Sequence, residues 1–226
     1  MTSTAQPSTR AVAETIRFGH LDIAFDHRVL RPRPWTAAQS RWAADVLRDA
    51  PEGPVLELCS GAGHIGLLAI TDNHRRLVAV DADAIAVDYT LRNAAAAGLA
   101  DRVEVRHATL EEALLPDEVF PVIIADPPWV PTAGIGRFPM DPPLAIDGGV
   151  DGLSLARACV EVARTHLADG GVMLLQLGDE AQVRELAAGL ADRGLTVTDV
   201  RRPDPTGVVA YLRADRHVTS LALPEN

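Results

Sequence analysis

Short runs of β-branched and aliphatic residues alternate along this chain with alanine-rich segments of helical length, and this alternation restricts the fold more than any other feature. The strand-like runs occupy residues 55–58, 76–81, 102–107, 120–126, 171–177, 195–202 and 207–214. Helices are predicted from about residue 64 and over residues 84–99, 110–115, 153–167 and 180–193. Such alternation predicts an α/β fold with a mostly parallel sheet and helices on both faces. Because only a short turn joins the last two runs, these must pair antiparallel.

The length and composition indicate one folded domain. The chain has 226 residues, and 47% of them are hydrophobic, which suffices for a core of its own. No apolar run approaches the roughly 18 residues of a membrane span, and the first residues lack the apolar centre of a secretory signal. The two cysteines fit a reducing cytoplasm better than a disulfide framework. We expect tails at residues 1–15 and 217–226, a hairpin and helix extension at 16–50, and the main domain at 51–216.

The charge of the chain argues against nucleic acid as a partner. The formal net charge is −10, whereas proteins that bind nucleic acid usually present a basic face. The first 50 residues carry a small basic excess, which keeps nucleic acid among the alternatives. All 21 basic residues are arginine, so the chain has no lysine that could form a Schiff base.

A glycine-rich turn follows the first strand-like run of the main domain. In "ELCSGAGHIG", Gly61, Gly63 and Gly66 form the pattern G-x-G-x-x-G between a strand and a helix. Glycines there permit a tight turn and let a ligand approach the backbone closely. Asp81 ends the next strand, where its carboxylate can accept hydrogen bonds from both hydroxyls of a ribose. The motif predicts either a nicotinamide cofactor or S-adenosylmethionine (SAM), and a tight turn without a ligand is the remaining alternative.

Two features favour SAM over a nicotinamide cofactor. Glu57 lies on the strand just before the turn, where its negative charge would stabilise a cationic sulfonium or ammonium group. The antiparallel pair at the C-terminus also suits the seven-stranded sheet of methyltransferases. Cys59 stands where many such loops have glycine, and we interpret it as a tolerated small side chain rather than a nucleophile.

The stretch "IIADPPWVP" (residues 123–131) places a carboxylate and an indole on a stiff turn. Prolines cannot continue a central strand, so the chain leaves the sheet here. The carboxyl ends of the first, second and fourth strands meet at one edge of a doubly wound sheet, which brings this turn beside the glycine turn and Asp81. The prolines would hold Asp126 and a backbone carbonyl in fixed positions beside a bound methyl donor.

This turn suits methyl transfer to a planar nitrogen. An amide or aromatic amine nitrogen is a weak nucleophile because its lone pair is delocalised. The carboxylate of Asp126 and a proline carbonyl could accept its N–H groups and direct the lone pair towards the methyl group, and Asp126 could help to remove the proton. Trp129 offers a flat apolar wall. The alternative is that Asp126 caps a turn and Trp129 fills the core; a second "DPPL", at Asp141, follows no strand and is interpreted as loop.

These residues resemble the HemK (PrmC) family of SAM-dependent glutamine-amide methyltransferases. "LELCSGAGHIGLLA" is similar to the family's SAM loop, "VDAD" to its ribose-binding strand end, and "FGHLDIAFDHRVLRPRPWT" to its N-terminal hairpin and the segment after it. "IADPPWVP" stands where the family has N-P-P-Y, and "DPPLAIDGGVDGLSLAR" resembles its glycine-aspartate loop. The resemblance runs from about Phe18 to Arg213. It implies a Rossmann-like class I methyltransferase fold with a seven-stranded, mostly parallel sheet and a C-terminal antiparallel strand pair.

The resemblance also implies a set of site residues. The predicted SAM-binding residues are Glu57, Cys59, Ser60, Gly61, Ala62, Gly63, Asp81, Thr109, Leu110 and Asp126. The predicted acceptor-binding residues are Asp126, Pro127, Pro128 and Trp129, with Asp126 as the catalytic residue. The short segment before the SAM loop is similar to the single-domain members of the family, some of which need a small activating partner protein.

Four positions depart from the family pattern. Asp126 replaces an asparagine and Trp129 a tyrosine, a form closer to the D-P-P-[YW] motifs of adenine amino-methyltransferases. An ionised aspartate cannot donate a hydrogen bond, so the identity of the acceptor stays open. Thr109 stands where the family has an aspartate near the adenine, so the backbone and Leu110 would hold the adenine ring. Trp35 replaces a glutamate.

We therefore expect a cytoplasmic SAM-dependent N-methyltransferase that acts on a protein glutamine amide. The alternative acceptor is a small-molecule or adenine amino group. The alternative classes are a NAD-binding oxidoreductase and a scaffold that binds SAM without turnover. No metal and no membrane partner are expected.

Overall fold

A computed structural model describes residues 12–204 and 207–214 of the chain. Residues 1–11 and 217–226, which belong to the two predicted tails, lie outside the described residues. The chain starts with the antiparallel hairpin β1 (Glu14–Phe18) and β2 (Leu21–Phe25), followed by helix α1 (Ala37–Val46). These elements lie in the segment where the sequence predicts an extension of the main domain, and that division into domains stays a prediction.

The main sheet has seven strands in the order β5-β4-β3-β6-β7-β9-β8. The strands are β3 (Val55–Leu58), β4 (Leu77–Asp81), β5 (Val103–His107), β6 (Phe120–Ala125), β7 (Leu167–Leu177), β8 (Leu195–Asp204) and β9 (Gly207–Ala214). Strand β9 runs antiparallel to both β7 and β8, and the pairs among β3 to β7 are parallel. The predicted α/β fold, its mostly parallel sheet and the C-terminal antiparallel pair are confirmed.

Helices cover both faces of this sheet. They are α2 (His64–Ile70), α3 (Ala84–Ala96), α4 (Pro143–Ile146), α5 (Ser154–His166) and α6 (Glu180–Ala187). The buried residues of α1, α2 and α3 pack with one face of the sheet, and those of α5 and α6 with the other. Because both faces are covered, β3 and β6 are buried along their whole length, as expected for central strands of a parallel sheet.

Two predicted helices differ from the structure. Residues 110–115 form turns instead of a helix. Pro116 disfavours helical geometry at the residue before it. The guanidinium of Arg106 also donates a hydrogen bond to the carbonyl of Ala113, which a helix would use for its own backbone. Helix α6 ends at Ala187 rather than at Arg193, because Gly189 weakens a helix at that point.

Asn93 attaches the N-terminal hairpin to the main sheet. Its side chain accepts a hydrogen bond from the backbone N–H of Ala24 (2.8 Å) and donates to the carbonyls of Ala24 and Ala62 (2.9 Å each). This buried amide on α3 therefore joins β2 to the glycine turn and fixes how the hairpin extension lies over the sheet edge. No helix among the described residues is long and apolar enough to cross a membrane.

Candidate active site

The carboxyl ends of β4, β3 and β6 are neighbours in the sheet and carry Asp81, the glycine turn and the proline turn. Two adjoining cavities open at this edge. The donor-side cavity, of about 490 Å³, is lined by the glycine turn and Asp81. The acceptor-side cavity, of about 450 Å³, is lined by the proline turn and by Leu30, Arg33, Trp35 and Thr36. Asp126 and Pro128 line both cavities. They therefore stand where a bound donor and a bound acceptor would meet.

The glycine turn is held by Asp81. The backbone N–H of Gly61 donates to the Asp81 carboxylate at 2.7 Å. Both Gly61 and Gly63 have positive φ angles, of 54° and 74°. A Cβ atom on Gly63 would lie 2.7 Å from the Cγ2 atom of Thr90. The turn therefore needs glycine both for its backbone conformation and for the close approach of α3.

Cys59 occupies a left-handed backbone conformation, with φ of 58°, which no other non-glycine residue of the described chain adopts. Its half-buried side chain lines the donor-side cavity. The neighbouring Cys159 thiol and burial raise the pKa of the Cys59 thiol well above its usual range. The thiol is therefore protonated at neutral pH, and the interpretation of Cys59 as a small packing residue fits better than a nucleophile.

Glu57 lies behind the glycine turn and is not among the residues that line either cavity. Its buried carboxyl group accepts a hydrogen bond from the backbone N–H of Gly66 at 2.9 Å, and its Oε2 atom has no partner among the described residues. Burial raises the pKa of Glu57 to about 8. Ala62 and Gly63 are also absent from the cavity walls. The sequence groups these three with the ligand contacts, and that assignment stays a prediction.

The wall of the donor-side cavity includes apolar side chains from the ends of β4 and β5 and from α3. Val80, Ala86 and Ala108 line it together with Thr109 and Leu110. The Thr109 hydroxyl donates to the carboxylate of Glu112 at 3.3 Å. Its hydrogen is therefore used within the protein.

Two polar atoms on the wall of the donor-side cavity lack partners among the described residues. They are the Oγ atom of Ser60 and the Nδ1 atom of His64. Burial lowers the pKa of His64 to about 3, so its imidazole is neutral. Unpaired buried polar atoms are costly. A ligand with its own donors and acceptors, such as the amino-acid end of SAM, fits this wall.

The proline turn is clamped by contacts from other loops. The Gln182 side chain donates to the carbonyl of Trp129 at 2.9 Å and accepts from the backbone N–H of Gly178 at 2.8 Å. A Cβ atom on Gly178 would lie 2.6 Å from the Trp129 ring, and one on Gly152 would lie 2.4 Å from the Trp129 carbonyl oxygen. The downstream glycine-aspartate loop therefore packs directly on the turn and holds the Trp129 indole in the wall of the acceptor-side cavity.

Asp126 is half-buried, and none of the described residues donates a hydrogen bond to its carboxylate. Burial raises its pKa to about 7. The carbonyl of the preceding residue, Ala125, accepts a hydrogen bond from Gln39 at 3.0 Å, which fixes the end of β6. The site thus presents a rigidly mounted carboxyl group whose oxygens are free to bind a substrate.

Sequence reasoning missed several residues of the acceptor-side cavity. Arg33 and Asp141 line it and form an ion pair with each other, and Phe138 and Gln176 complete the wall. The interpretation of the "DPPL" segment as plain loop is wrong, because Pro143 begins α4 and Asp141 lies in this wall. These residues come from segments far apart in the sequence, and no local pattern marks them.

The seven-stranded sheet, with cavities at the carboxyl ends of its strands, has the arrangement of the class I methyltransferase fold. The family model "Methyltransferase small domain" matches residues 38–136. Solved structures with this fold include the ribosomal protein L11 methylase of Lactobacillus delbrueckii subsp. bulgaricus (TM-score 0.63, 13% identity, 83% of this chain and 82% of that chain covered). Another is the hMettl16 catalytic domain in complex with an RNA hairpin (TM-score 0.69, 17% identity, 91% and 78% covered).

One curated relative shows the family, and a second is similar over a smaller share of its own length. The release factor glutamine methyltransferase of Deinococcus radiodurans is 33% identical over 206 residues, which cover 89% of this chain and 72% of the relative. The ribosomal protein uL3 glutamine methyltransferase of Bordetella pertussis is 34% identical over 169 residues, with 72% and 56% covered. The chain belongs to the HemK-type glutamine methyltransferase family, and it spans little more than half the length of the Bordetella pertussis relative. The cofactor of this family is SAM, which decides between the two cofactors that the glycine turn left open.

Proposed function

We propose that this chain transfers a methyl group from SAM to a planar nitrogen, and that the acceptor is the side-chain amide of a protein glutamine. The observation that carries this proposal is the position of Asp126. Its unpartnered carboxyl group stands between the two cavities, on a turn whose ends are held by Gln39 and Gln182. The names of the relatives, which are glutamine methyltransferases of a release factor and of ribosomal protein uL3, support the acceptor.

Bound SAM would supply an electrophilic methyl group at the junction of the cavities. The ionised Asp126 accepts one N–H of the acceptor nitrogen, and a carbonyl of the Pro127–Pro128 turn is placed to accept the other. These contacts hold the nitrogen lone pair towards the donor. The nitrogen becomes cationic on methylation and must lose a proton, which the Asp126 carboxylate can take. The Trp129 ring packs against the planar group.

The donor-side residues divide into two groups in this proposal. Cys59, Ser60, Gly61, Asp81, Thr109 and Leu110 line the cavity and contact SAM. Asp81 accepts from the ribose hydroxyls while it keeps its bond to Gly61. Glu57, Ala62 and Gly63 act from behind the turn, and the Glu57 carboxyl group contributes through the conformation of the loop. We also propose that residues 16–50 form an extension of the catalytic domain, 51–216, and supply one wall of the acceptor-side cavity.

The cellular setting is part of the same proposal. A release factor or ribosomal protein as acceptor supports a cytoplasmic location. A small activating protein is the further partner that we propose by resemblance to single-domain members of the family. The second candidate acceptor is a small-molecule amide or amine, because an ionised Asp126 cannot donate to a glutamine carbonyl as an asparagine can.

The test is transfer of labelled methyl from SAM into extract of the source cells. Wild type, Asp126→Ala and the matched variant Asp126→Asn are compared, and products are divided by protease and nuclease treatment. We expect label in protein that depends on Asp126 and is lost in Asp126→Ala, with methylglutamine identified by mass spectrometry. Label that resists protease would contradict the protein acceptor. Calorimetric binding of SAM to all three proteins separates loss of chemistry from loss of the cofactor.

A further inference from the structure

Gln176 is a buried carboxamide in the wall of the acceptor-side cavity, with 1% of its surface exposed. Its Nε2 atom donates to the carbonyl of Leu177 at 3.2 Å, whereas its Oε1 atom has no hydrogen-bond partner among the described residues. A buried polar oxygen without a partner costs on the order of 1–3 kcal/mol. Such an atom on the wall of a substrate cavity indicates a partner on the substrate.

The sheet places Gln176 beside Asp126. Strands β6 and β7 are parallel neighbours, and Ala125 is in register with Leu175. One residue further on, Asp126 therefore stands next to Gln176, and both side chains line the acceptor-side cavity. Neighbouring side chains on one face of a sheet lie roughly 5 Å apart. A planar group bound in this cavity would therefore have both residues in its wall.

The orientation of the Gln176 amide is restricted by strand β9. A Cβ atom on Gly207 would lie 2.2 Å from the Nε2 atom, so glycine at this position makes room for the amide. The hydrogen bond to the Leu177 carbonyl uses one of the two Nε2 hydrogens. The buried Oε1 atom and the second Nε2 hydrogen are left without a partner among the described residues.

We propose that Gln176 is a specificity-determining residue that binds the carboxamide of the acceptor in an amide–amide pair. Its Oε1 atom accepts one N–H of the acceptor, and its second Nε2 hydrogen is donated to the acceptor carbonyl. The other N–H goes to Asp126, and the carbonyl of the proline turn can share either hydrogen. This inference rests on the proposed function. An ionised Asp126 has no hydrogen to donate to the acceptor carbonyl, and the Gln176 amide supplies that donor.

The pair selects by chemistry rather than by size. A glutamate side chain in place of the acceptor glutamine has no N–H to donate. Its oxygens would face the Oε1 atom of Gln176 and the carboxylate of Asp126, which are both hydrogen-bond acceptors. A thioether of similar length offers neither donor nor acceptor and would leave the Gln176 amide unpaired. The edge of an adenine also presents an N–H beside an acceptor nitrogen. Membership in the glutamine methyltransferase family favours the carboxamide, and adenine enters the test as a competing ligand.

The experiment is a double-mutant cycle on binding. The full chain, saturated with S-adenosylhomocysteine, is titrated by NMR with N-acetylglutamine N-methylamide, with N-acetylmethionine N-methylamide and with adenosine. Wild type and Gln176→Met are compared. We expect wild type to bind the glutamine ligand on the order of 10-fold or more tightly than the methionine ligand, and the variant to lose about 10-fold of that preference. A purely structural effect of the substitution would weaken both ligands equally and leave the preference unchanged.

Gln39→Met is the matched control. Gln39 is also a buried glutamine with an unpartnered Oε1 atom, but it does not line the acceptor-side cavity. Because Gln39 also holds the Ala125 end of β6, this variant is read only for its Tm, which gives the stability cost of losing a buried carboxamide. If Gln176→Met fails to fold, Gln176→Glu keeps the shape of the side chain and an acceptor oxygen but removes the donor to the acceptor carbonyl. It tests that one contact, and the preference for the glutamine ligand should fall by less than in Gln176→Met.

The outcomes separate this inference from the proposed function. A wild-type preference for the glutamine ligand that persists in Gln176→Met would overturn the role of Gln176 and leave the glutamine acceptor intact. Absence of any preference in wild type would overturn both. A preference for adenosine that depends on Gln176 would also overturn both and identify an adenine acceptor.

Discussion

The protonation state of Asp126 should control the rate of methyl transfer around neutral pH. Burial raises the pKa of this carboxyl group to about 7. Only the ionised form can accept both the N–H of the acceptor and the proton that the product loses. The ionised fraction is about one tenth at a pH one unit below the pKa and about nine tenths one unit above it. We therefore expect kcat/KM to rise about 10-fold from about pH 6 to about pH 8.

Asp126→Asn removes the titration while keeping the shape of the side chain and one acceptor oxygen. Its kcat/KM should be nearly independent of pH over the same range. Asp126→Ala, which has no acceptor at this position, should lose on the order of 100-fold or more at every pH. The assay is label transfer from SAM into the acceptor protein at concentrations well below both KM values, where kcat/KM reports the pKa values of the free enzyme.

The sign of the pH dependence tests the reasoning. A fall in wild-type activity through about pH 7 would show that the protonated carboxyl group is the active form. Glu57, whose pKa is raised to about 8, is the other buried acid that titrates near this range. A rise that persists unchanged in Asp126→Asn would refute the assignment to Asp126 and point to Glu57.

Three further predictions concern residues that line the site or pack behind it. Gly178→Ala should weaken binding of the acceptor and leave the calorimetric affinity for SAM unchanged. The added Cβ atom would lie only 2.6 Å from the Trp129 ring and would push the ring out of its position in the cavity wall. Equal loss of both affinities would contradict this. Burial raises the pKa of Glu57 to about 8, so its contribution to stability is complete below about pH 4.5 and is lost as the pH rises through about 8. Glu57→Gln should therefore show a smaller fall in Tm than wild type between about pH 6 and about pH 9. A fall as steep as that of wild type would argue against this. Cys59→Ala should retain activity, since no thiolate is required, whereas Cys59→Val should lower the free energy of unfolding by about 1–2 kcal/mol in urea denaturation, because a β-branched residue is strained at a φ of 58°; an inactive alanine variant that still binds SAM would reopen a chemical role for the thiol.

The order of strands and helices was predictable because it depends on local patterns. Buried parallel strands read as short aliphatic runs, and six of the predicted runs lie within one or two residues of the observed strands, while β7 starts four residues earlier. A helix prediction was wrong where a side chain from another segment binds the backbone, which a hydrophobic pattern does not reveal. At residues 110–115 the side chain of Arg106 binds a backbone carbonyl that a helix would have used.

The principal site residues were predictable for a different reason. The carboxyl ends of adjacent parallel strands meet at one edge, so the glycine turn, Asp81 and Asp126 converge once the strand order is known. The roles of individual residues were less accessible. Glu57 reads as a ligand contact from its position before the turn, but the side-chain direction at that point of β3 turns it towards the N–H of Gly66.

The sequence by itself determined the α/β class, the edge of the sheet that carries the site and the resemblance to the HemK family, because periodicity and motif spacing are properties of neighbouring residues. Only the tertiary structure decided that two cavities meet at Asp126, that its pKa rises to about 7, and that Gln176 stands beside it with an unpaired oxygen. Burial and hydrogen-bond partnership depend on segments more than a hundred residues apart, as in the ion pair of Arg33 with Asp141. Such contacts arise from how the sheet, the hairpin extension and the loops pack, and no local pattern encodes them.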